Sequence, residues 1–277
     1  MAELRTLADL DAEGRAAAEA LLLRLADDEF VTAERYTEWQ VVSPTLESDL
    51  ALSNIAQDEL GHARVWFDAL GELGRTEQDL VWERDPGAFR HGTLVELPFA
   101  EGDWADLILR TYLYDAAEDL RLDAVAESGV RELVDPIEKL RSEEEYHLEH
   151  AQNWLERLCD DGTGREKVQS AADRLFPHAL TLWVSGPAAE AIDEYDLRGE
   201  SLDAMRRQWL DTVGSFLEGH GVSVPLEPED DPDDHLPAAR GRDGSHTDHW
   251  PELHGELTRT YRQLERTDVR TLRGEGA

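Results

Sequence analysis

Two Glu-x-x-His motifs are the residues of this sequence whose types and spacing best suit metal chemistry. The first is Glu59 with His62, and the second is Glu144 with His147. A carboxylate and an imidazole three residues apart lie on the same face of a helix and can bind the same metal ion. A chain this rich in Glu carries such a pair by chance, so the argument depends on where the two motifs lie.

An acidic residue precedes each motif by almost the same distance. Glu29 stands 30 residues before Glu59, and Asp115 stands 29 residues before Glu144. If each acid and its motif occupy the two arms of a helical hairpin with a short turn, both ligand sets lie about 20 Å from the turn. Four helices would then bring four carboxylates and two imidazoles together. That is the ligand set of carboxylate-bridged di-iron and di-manganese proteins.

The ligand on the third helix has two candidates. Glu118 lies one turn after Asp115 and shares its helical face. Such sites usually take Glu there, which favours Glu118, whereas the near-equal spacing favours Asp115, which we prefer. Carboxylates and imidazoles without a thiolate suit iron, or alternatively manganese. The predicted metal ligands are Glu29, Glu59, His62, Asp115, Glu144 and His147, with Glu118 as the alternative to Asp115.

The elements that must position these ligands are helices almost throughout. Apolar residues recur at helical spacing over residues 12–41, 44–73, 103–127 and 131–159, and residues 75–102 resemble an irregular crossover. We expect Ser43 to cap the second helix with Pro44 at its first position, and Asp135 with Pro136 is a possible later start for the fourth. Further helices are predicted within 165–194 and 201–219 and over 250–268, with a loop over 221–247.

This pattern predicts an all-α fold, a ferritin-like four-helix bundle with additional C-terminal helices. The core bundle is expected over about residues 12–160 and the C-terminal helices and tail over about 165–277. The length of 277 residues suits one large domain or two small ones, and we expect a single domain over 1–277.

The charge balance bears on partners and environment. The chain has 62 acidic and 27 basic residues and a net charge of -35, which argues against binding to a nucleic-acid backbone. Only Lys139 and Lys167 are lysines, and a strongly acidic chain with so little lysine is typical of salt-adapted (halophilic) organisms. High internal salt would screen the self-repulsion.

Other compositional features indicate a folded cytoplasmic protein. Forty per cent apolar residues and eight Trp are enough to bury a core. One cysteine, Cys159, allows no internal disulfide and suits a reducing interior. The N-terminal residues do not resemble a signal peptide, and no apolar run is long enough to span a membrane.

At these residues the chain resembles the ferritin-like subunits of phenylacetyl-CoA epoxidase. The resemblance rests on the segments QDELGHA (57–63) with the preceding Glu38-Trp39, EEEYHL (143–148) and WLERL (154–158). DDGT (160–163) and the tail GSHTDH (244–249) resemble the C-type members of this family. The resemblance covers roughly residues 20–265.

The resemblance implies a subunit of a bacterial multicomponent di-iron monooxygenase. Such a complex uses O2 to epoxidise the aromatic ring of phenylacetyl-CoA in aerobic phenylacetate degradation. It implies an A-type partner that holds the catalytic di-iron site, other epoxidase subunits, and a separate NADPH-dependent flavin and iron–sulfur reductase. A homo- or hetero-oligomer without nucleic acid or membrane is expected.

The chain departs from the C-type pattern in its core. C-type subunits are usually described as structural, and their second-helix Glu-x-x-His has commonly decayed, but this chain keeps Glu59 and His62. With two irons, Glu59 and Glu144 would bridge the two ions. His62 and Glu29 would complete the coordination of one ion, and His147 and Asp115 that of the other. The alternative is a non-catalytic scaffold that stabilises the A-type partner and binds no metal.

Two further groups of residues have side chains that could bind a ligand, namely histidines in the tail and two pairs of arginines. His246 and His249 have the spacing of a zinc pair, but no fourth ligand is evident. Arg206-Arg207 and Arg240-Gly241-Arg242 are the best candidates for contacts to CoA phosphates, although surface arginines with no ligand are the preferred interpretation.

Overall fold

The structure, a computed structural model, describes residues 4–99, 103–227 and 229–263, and within them the regular elements are helices. The described residues form no sheet; a single parallel bridge pairs Arg5 with Val130. The α-helices are α1 (Ala12–Tyr36), α2 (Leu46–Glu72), α3 (Thr93–Glu96), α4 (Trp104–Ala126), α5 (Arg131–Val134), α6 (Ile137–Asp160), α7 (Gly162–Ala179), α8 (Ala189–Glu194), α9 (Leu202–Gly219), α10 (His249–Leu257) and α11 (Arg259–Gln263).

Four of these helices, α1, α2, α4 and α6, form the bundle. Helix α1 packs along α2, and α4 packs along α6, so the bundle consists of two hairpins joined by the crossover. The all-α, ferritin-like fold with additional C-terminal helices is therefore confirmed. None of the described helices combines the length and the apolarity needed to cross a bilayer.

The first hairpin turns differently from the prediction. Helix α1 ends at Tyr36 and continues as a 3-10 turn over Thr37–Trp39, so the first predicted helix was too long. The cap of α2 is Thr45, whose hydroxyl accepts a hydrogen bond from the Ser48 amide at 3.1 Å. The assignment of Ser43 as cap and Pro44 as first helical residue was wrong, because Thr45 has the same capping chemistry two residues later.

The crossover is irregular, as predicted, but it is also part of the core. It contains a π-helical turn (Gln78–Trp82), a 3-10 turn (Pro86–Ala88) and α3. Phe89, His91 and Leu94 are fully buried. Buried carboxylates of α1 hold its backbone, since Asp27 accepts a hydrogen bond from the Arg90 amide and Asp28 from the Gly92 amide.

The fourth bundle helix starts at the later of the two predicted positions. Helix α6 begins at Ile137. Pro136 is the residue before it and therefore not, as was predicted, the first helical residue. In the acidic and glycine-rich segment after α6, only Asp161 separates α6 from α7. The Asp161 side chain caps α7 by accepting a hydrogen bond from the Gly164 amide.

Two of the C-terminal helices, α7 and α9, pack on α4. The indole of Trp209 on α9 donates to the Leu113 carbonyl at 3.1 Å and stacks on Phe176 of α7. These side chains belong to the same apolar cluster as the bundle core, and the single domain over 1–277 stays a prediction. The last predicted helix is divided into α10 and α11, and its residues 264–268 lie outside the described residues.

Candidate metal centre

Each bundle helix contributes buried polar side chains at one level of the bundle. All of them are at most 1% exposed, although carboxylates are among the side chains least often buried. The set comprises Glu29 of α1, Glu59 and His62 of α2, Asp115 and Glu118 of α4, and Glu144 and His147 of α6.

Glu144 lies between the two imidazoles. Its Oε1 is 3.1 Å from Nδ1 of His62 and 3.5 Å from Nδ1 of His147. Nδ1 of His62 also lies 3.8 Å from Glu29, and Nδ1 of His147 lies 3.6 Å from Glu59. The arrangement has two halves, His62 with Glu29 and His147 with Glu59, that share Glu144.

Four of the predicted ligands meet especially closely. One candidate ligand atom from each of Glu29, Glu59, His62 and Glu144 lies within 4.8 Å of the others. His147 adjoins this group through its contacts with Glu59 and Glu144, described above. The hairpin spacing thus correctly predicted that these residues meet at one level.

The polar atoms of this cluster lack hydrogen-bond partners among the described residues. They are both carboxylate oxygens of Glu29, Glu59, Asp115, Glu118 and Glu144, and Nδ1 of both His62 and His147. A buried polar atom without a partner costs free energy, and a buried carboxylate without a counter-charge costs more. Cations bound among these atoms would satisfy them, so the residues present fit a metal centre.

Two further carboxylates orient the imidazoles. Nε2 of His62 lies 3.0 Å from Glu143, and Nε2 of His147 lies 3.5 Å from Asp58. The contacts cross the bundle, because each acid immediately precedes the Glu of the opposite motif. A carboxylate on one ring nitrogen directs the other nitrogen towards a metal. This role of Asp58 and Glu143 was not predicted, although both motifs indicate it by having an acidic residue directly before Glu-x-x-His.

The two candidates on α4 have different surroundings. Burial raises the pKa of Asp115 well above its usual value, and Glu144 raises it further. Burial also raises the pKa of Glu118, but Arg121 opposes this effect through a close ion pair. Asp115 therefore has the greater need of a cation, while Glu118 already has one.

The two imidazoles are strongly basic in the metal-free protein. Burial lowers the pKa of His62, but the carboxylates of Glu144 and Glu29 outweigh burial and raise it to about 11. Burial raises the pKa of Glu144, but His147 and His62 together lower it to about 2. Glu144 is therefore an anion between two cations in the metal-free protein.

In the other half of the cluster, burial and neighbouring carboxylates also shift the pKa values. Burial lowers the pKa of His147, but Asp58 and Glu144 raise it to about 10. Burial, Glu29 and Glu144 all raise the pKa of Glu59 well above its usual value. The carboxylates thus outnumber the cations that they surround.

A second group of candidate ligands lies where the tail meets the crossover. His91, Glu96 and His246 approach one another, and Glu96 Oε2 lies 2.7 Å from His91 Nε2 and 2.8 Å from His246 Nδ1. Glu96 Oε1 also accepts from the Thr247 amide. Most polar atoms of this group have partners, so it is a hydrogen-bonded contact of the tail. His246 is engaged here, which differs from the zinc pair with His249 considered from the sequence.

The structure also changes the interpretation of Arg242. Its side chain is buried and donates to both oxygens of Asp28, at 3.1 and 2.6 Å. The expectation of a surface arginine was wrong for this residue, because the tail folds over the crossover and carries the guanidinium into the core.

Comparison with known proteins identifies a matching family and a similar protein. Residues 1–268 match the family model described as phenylacetic acid catabolic protein. The chain is 32% identical over 251 residues to an Escherichia coli K12 protein named as the C-type subunit of 1,2-phenylacetyl-CoA epoxidase; the match covers 88% of this chain and 96% of that protein. By this match over nearly its whole length, the chain belongs to the phenylacetic acid catabolic protein family.

Proposed function

We propose that this chain is a subunit of a phenylacetyl-CoA epoxidase complex and that it holds a dinuclear metal centre of iron, or alternatively manganese. The observation that carries the metal centre is the crowding of buried carboxylate oxygens and of both imidazole Nδ1 atoms, none of which has a hydrogen-bond partner among the described residues. Membership in the phenylacetic acid catabolic protein family and the similarity to a C-type epoxidase subunit support the role in the complex.

Each side chain has a role in this proposal. Glu59 and Glu144 would be ligands of both ions, Glu29 and His62 would hold one ion, and Asp115 and His147 would hold the other, with Glu118 as the alternative on α4. Two bound irons would supply O2 activation and oxygen transfer to the ring. The protein orients the imidazoles through Asp58 and Glu143 and excludes water from the cluster.

The proposed partners follow from the complex. They are an A-type catalytic subunit, other epoxidase subunits, a CoA thioester substrate with O2, and a separate NADPH-dependent flavin and iron–sulfur reductase. A cytoplasmic location is part of the same proposal.

One observation favours a second function, that of a scaffold without metal. The imidazoles of His62 and His147 form ion pairs with Glu144 in the absence of metal, with pKa values of about 11 and about 10. Such internal pairing compensates part of the buried charge. A scaffold would keep the cluster for the stability of the bundle and leave oxygen chemistry to the A-type partner.

Metal analysis separates the two functions. The chain, purified in high salt and reconstituted anaerobically with Fe(II), is expected to hold about two irons. A Glu59→Gln/His147→Gln double variant should lose most of this iron, because Glu59 would be a ligand of both ions and His147 of the second. Glu72→Gln, an exposed change at the end of α2, is the matched control and should keep it. Full iron in the double variant would exclude this cluster as the binding site.

Turnover then tests the part that this chain plays in the complex. The double variant is combined with wild-type partner subunits and reductase, and epoxide formation from phenylacetyl-CoA is measured. Loss of turnover with assembly retained would support catalytic participation. Full turnover without iron in this chain would favour the scaffold.

A further inference from the structure

A small cavity away from the metal cluster is lined by positive charge. Its volume is about 30 Å³, and four of its lining side chains are arginines, namely Arg24, Arg121, Arg198 and Arg242. Apolar side chains such as Leu25 of α1 complete the wall. A buried group of arginines is unexpected in a chain whose net charge is -35.

Arg24 has no counter-ion of its own among the described residues. Its side chain is 9% exposed, and it neither donates a hydrogen bond nor forms an ion pair there. Burial and the neighbouring Arg242 and Arg198 lower its pKa to about 10, so Arg24 is still a cation at neutral pH. Gly186 lies against its guanidinium, since a Cβ there would be 2.0 Å from Nη2.

The carboxylates near the cavity are already engaged. Asp28, one turn after Arg24, accepts hydrogen bonds from the Gly92 amide and from the guanidiniums of Arg121 and Arg242. Both oxygens of Asp28 are therefore taken, Oδ1 by Gly92 and Arg242 and Oδ2 by Arg121 and Arg242.

The remaining arginines leave donors unused. Nε and Nη2 of Arg198 both contact one oxygen of Asp193, whose side chain is about half exposed. Nε of Arg242 and Nε of Arg121 are buried without a hydrogen-bond partner among the described residues. The cavity therefore has more cations than anions and more donors than acceptors.

A buried cation is costly unless an anion accompanies it. Water would satisfy donors but not charge, and about 30 Å³ holds one or two waters or one monatomic ion. We propose that this cavity binds a small monovalent anion of the halide class, held by the guanidiniums of Arg24, Arg198 and Arg242.

Such an anion would join three separate parts of the chain. Arg24 belongs to α1, Arg198 to the segment after α8, and Arg242 to the tail that folds over the crossover. Each would contribute a positive charge to the same ligand. Halide binding should therefore stabilise the folded chain, because the unfolded chain does not bring these residues together.

The test measures thermal unfolding at a constant 2 M total of sodium chloride plus sodium gluconate, so that ionic strength does not change. Raising chloride from 0.01 to 1 M should raise the melting temperature by about 3 °C for a site of roughly 0.1 M affinity. Arg24→Met should lose this response. Arg75→Met, which removes an exposed guanidinium paired with Glu19, is the matched control and should keep it.

A direct measurement does not depend on whether Arg24→Met folds. Wild-type crystals grown with sodium bromide should give an anomalous peak within hydrogen-bonding distance of the Arg24 guanidinium. The inference is overturned if the chloride response is the same in all three proteins, or if the bromide data show no peak in the cavity. Neither measurement involves iron, so the result is independent of the proposed function.

Discussion

At the scale of single residues, the buried carboxylate–histidine cluster has more carboxylates than its own histidines can balance. Glu59 and Asp115 both have raised pKa values, caused by burial and then by neighbouring carboxylates. His62 and His147 have pKa values raised to about 11 and about 10. The metal-free cluster therefore holds protons that the unfolded chain would release at the same pH.

This proton binding predicts how the stability of the metal-free chain depends on pH. The stabilisation from His62 is fully present below pH 6.5, its unfolded pKa, and is lost as the pH rises through about 11. The carboxyls with raised pKa values act in the same direction, because the folded state resists their ionisation. The melting temperature with chelator present should fall between pH 6.5 and pH 10.

Metal loading provides the comparison for this prediction. Ligands bind metal in their deprotonated forms, so bound Fe(II) or Mn(II) replaces the protons. The loaded chain should therefore lose less stability than the metal-free chain over the same pH range. A metal-free chain whose melting temperature stays constant or rises from pH 6.5 to pH 10 would contradict the prediction.

The choice of ligand on α4 is also decided by individual side chains. Burial and then Glu144 raise the pKa of Asp115, which forms no ion pair among the described residues, whereas Glu118 forms an ion pair with Arg121. We expect Asp115→Asn to reduce iron from about two to about one per chain, and Glu118→Gln to retain the iron. Iron content and circular dichroism of both variants check this. The opposite pattern would assign the ligand to Glu118.

At the scale of helices, the sequence predicted which candidate ligands lie close together better than it predicted the ends of the helices. Helical periodicity and the spacing from Glu29 to Glu59 were sufficient because a hairpin fixes the level of its two arms. The pairing of His62 with Glu143 was not predicted, because it depends on how the second hairpin sits against the first. The contacts of Glu96 were not predicted either, because its partners come from two distant segments, the crossover and the tail.

The cap of α2 shows why helix ends are harder to predict. Ser43 and Thr45 have the same capping chemistry, and only the backbone of the turn decides between them. Thr45→Ala should destabilise the chain by about 1 kcal/mol, since Ser48 loses its hydrogen-bond acceptor. Ser43→Ala, the matched control, should cost less, because its hydroxyl donates to the Trp39 carbonyl at 3.3 Å. Urea unfolding of both variants measures the difference, and equal losses would refute the assignment.

At the scale of the whole molecule, the net charge of -35 sets the response to salt. Surface carboxylates repel one another over about 10 Å at 0.1 M salt but over only about 3 Å at 1 M. The predicted salt-adapted origin rests on this charge and on the scarcity of lysine. This screening is general and differs from the halide site, which should respond to chloride at constant ionic strength.

The exposed face of α6 allows a direct test of this screening. Glu145, Glu149 and Glu156 are exposed there, away from the buried face that carries Glu144 and His147. The triple variant to Gln should melt at a higher temperature than the wild type at 0.1 M sodium chloride, because three repelling charges are gone. The difference should shrink at 2 M, where salt already screens them. If the triple variant gained nothing at low salt, self-repulsion would not limit the stability of this chain, and its acidity would have to serve hydration or solubility instead.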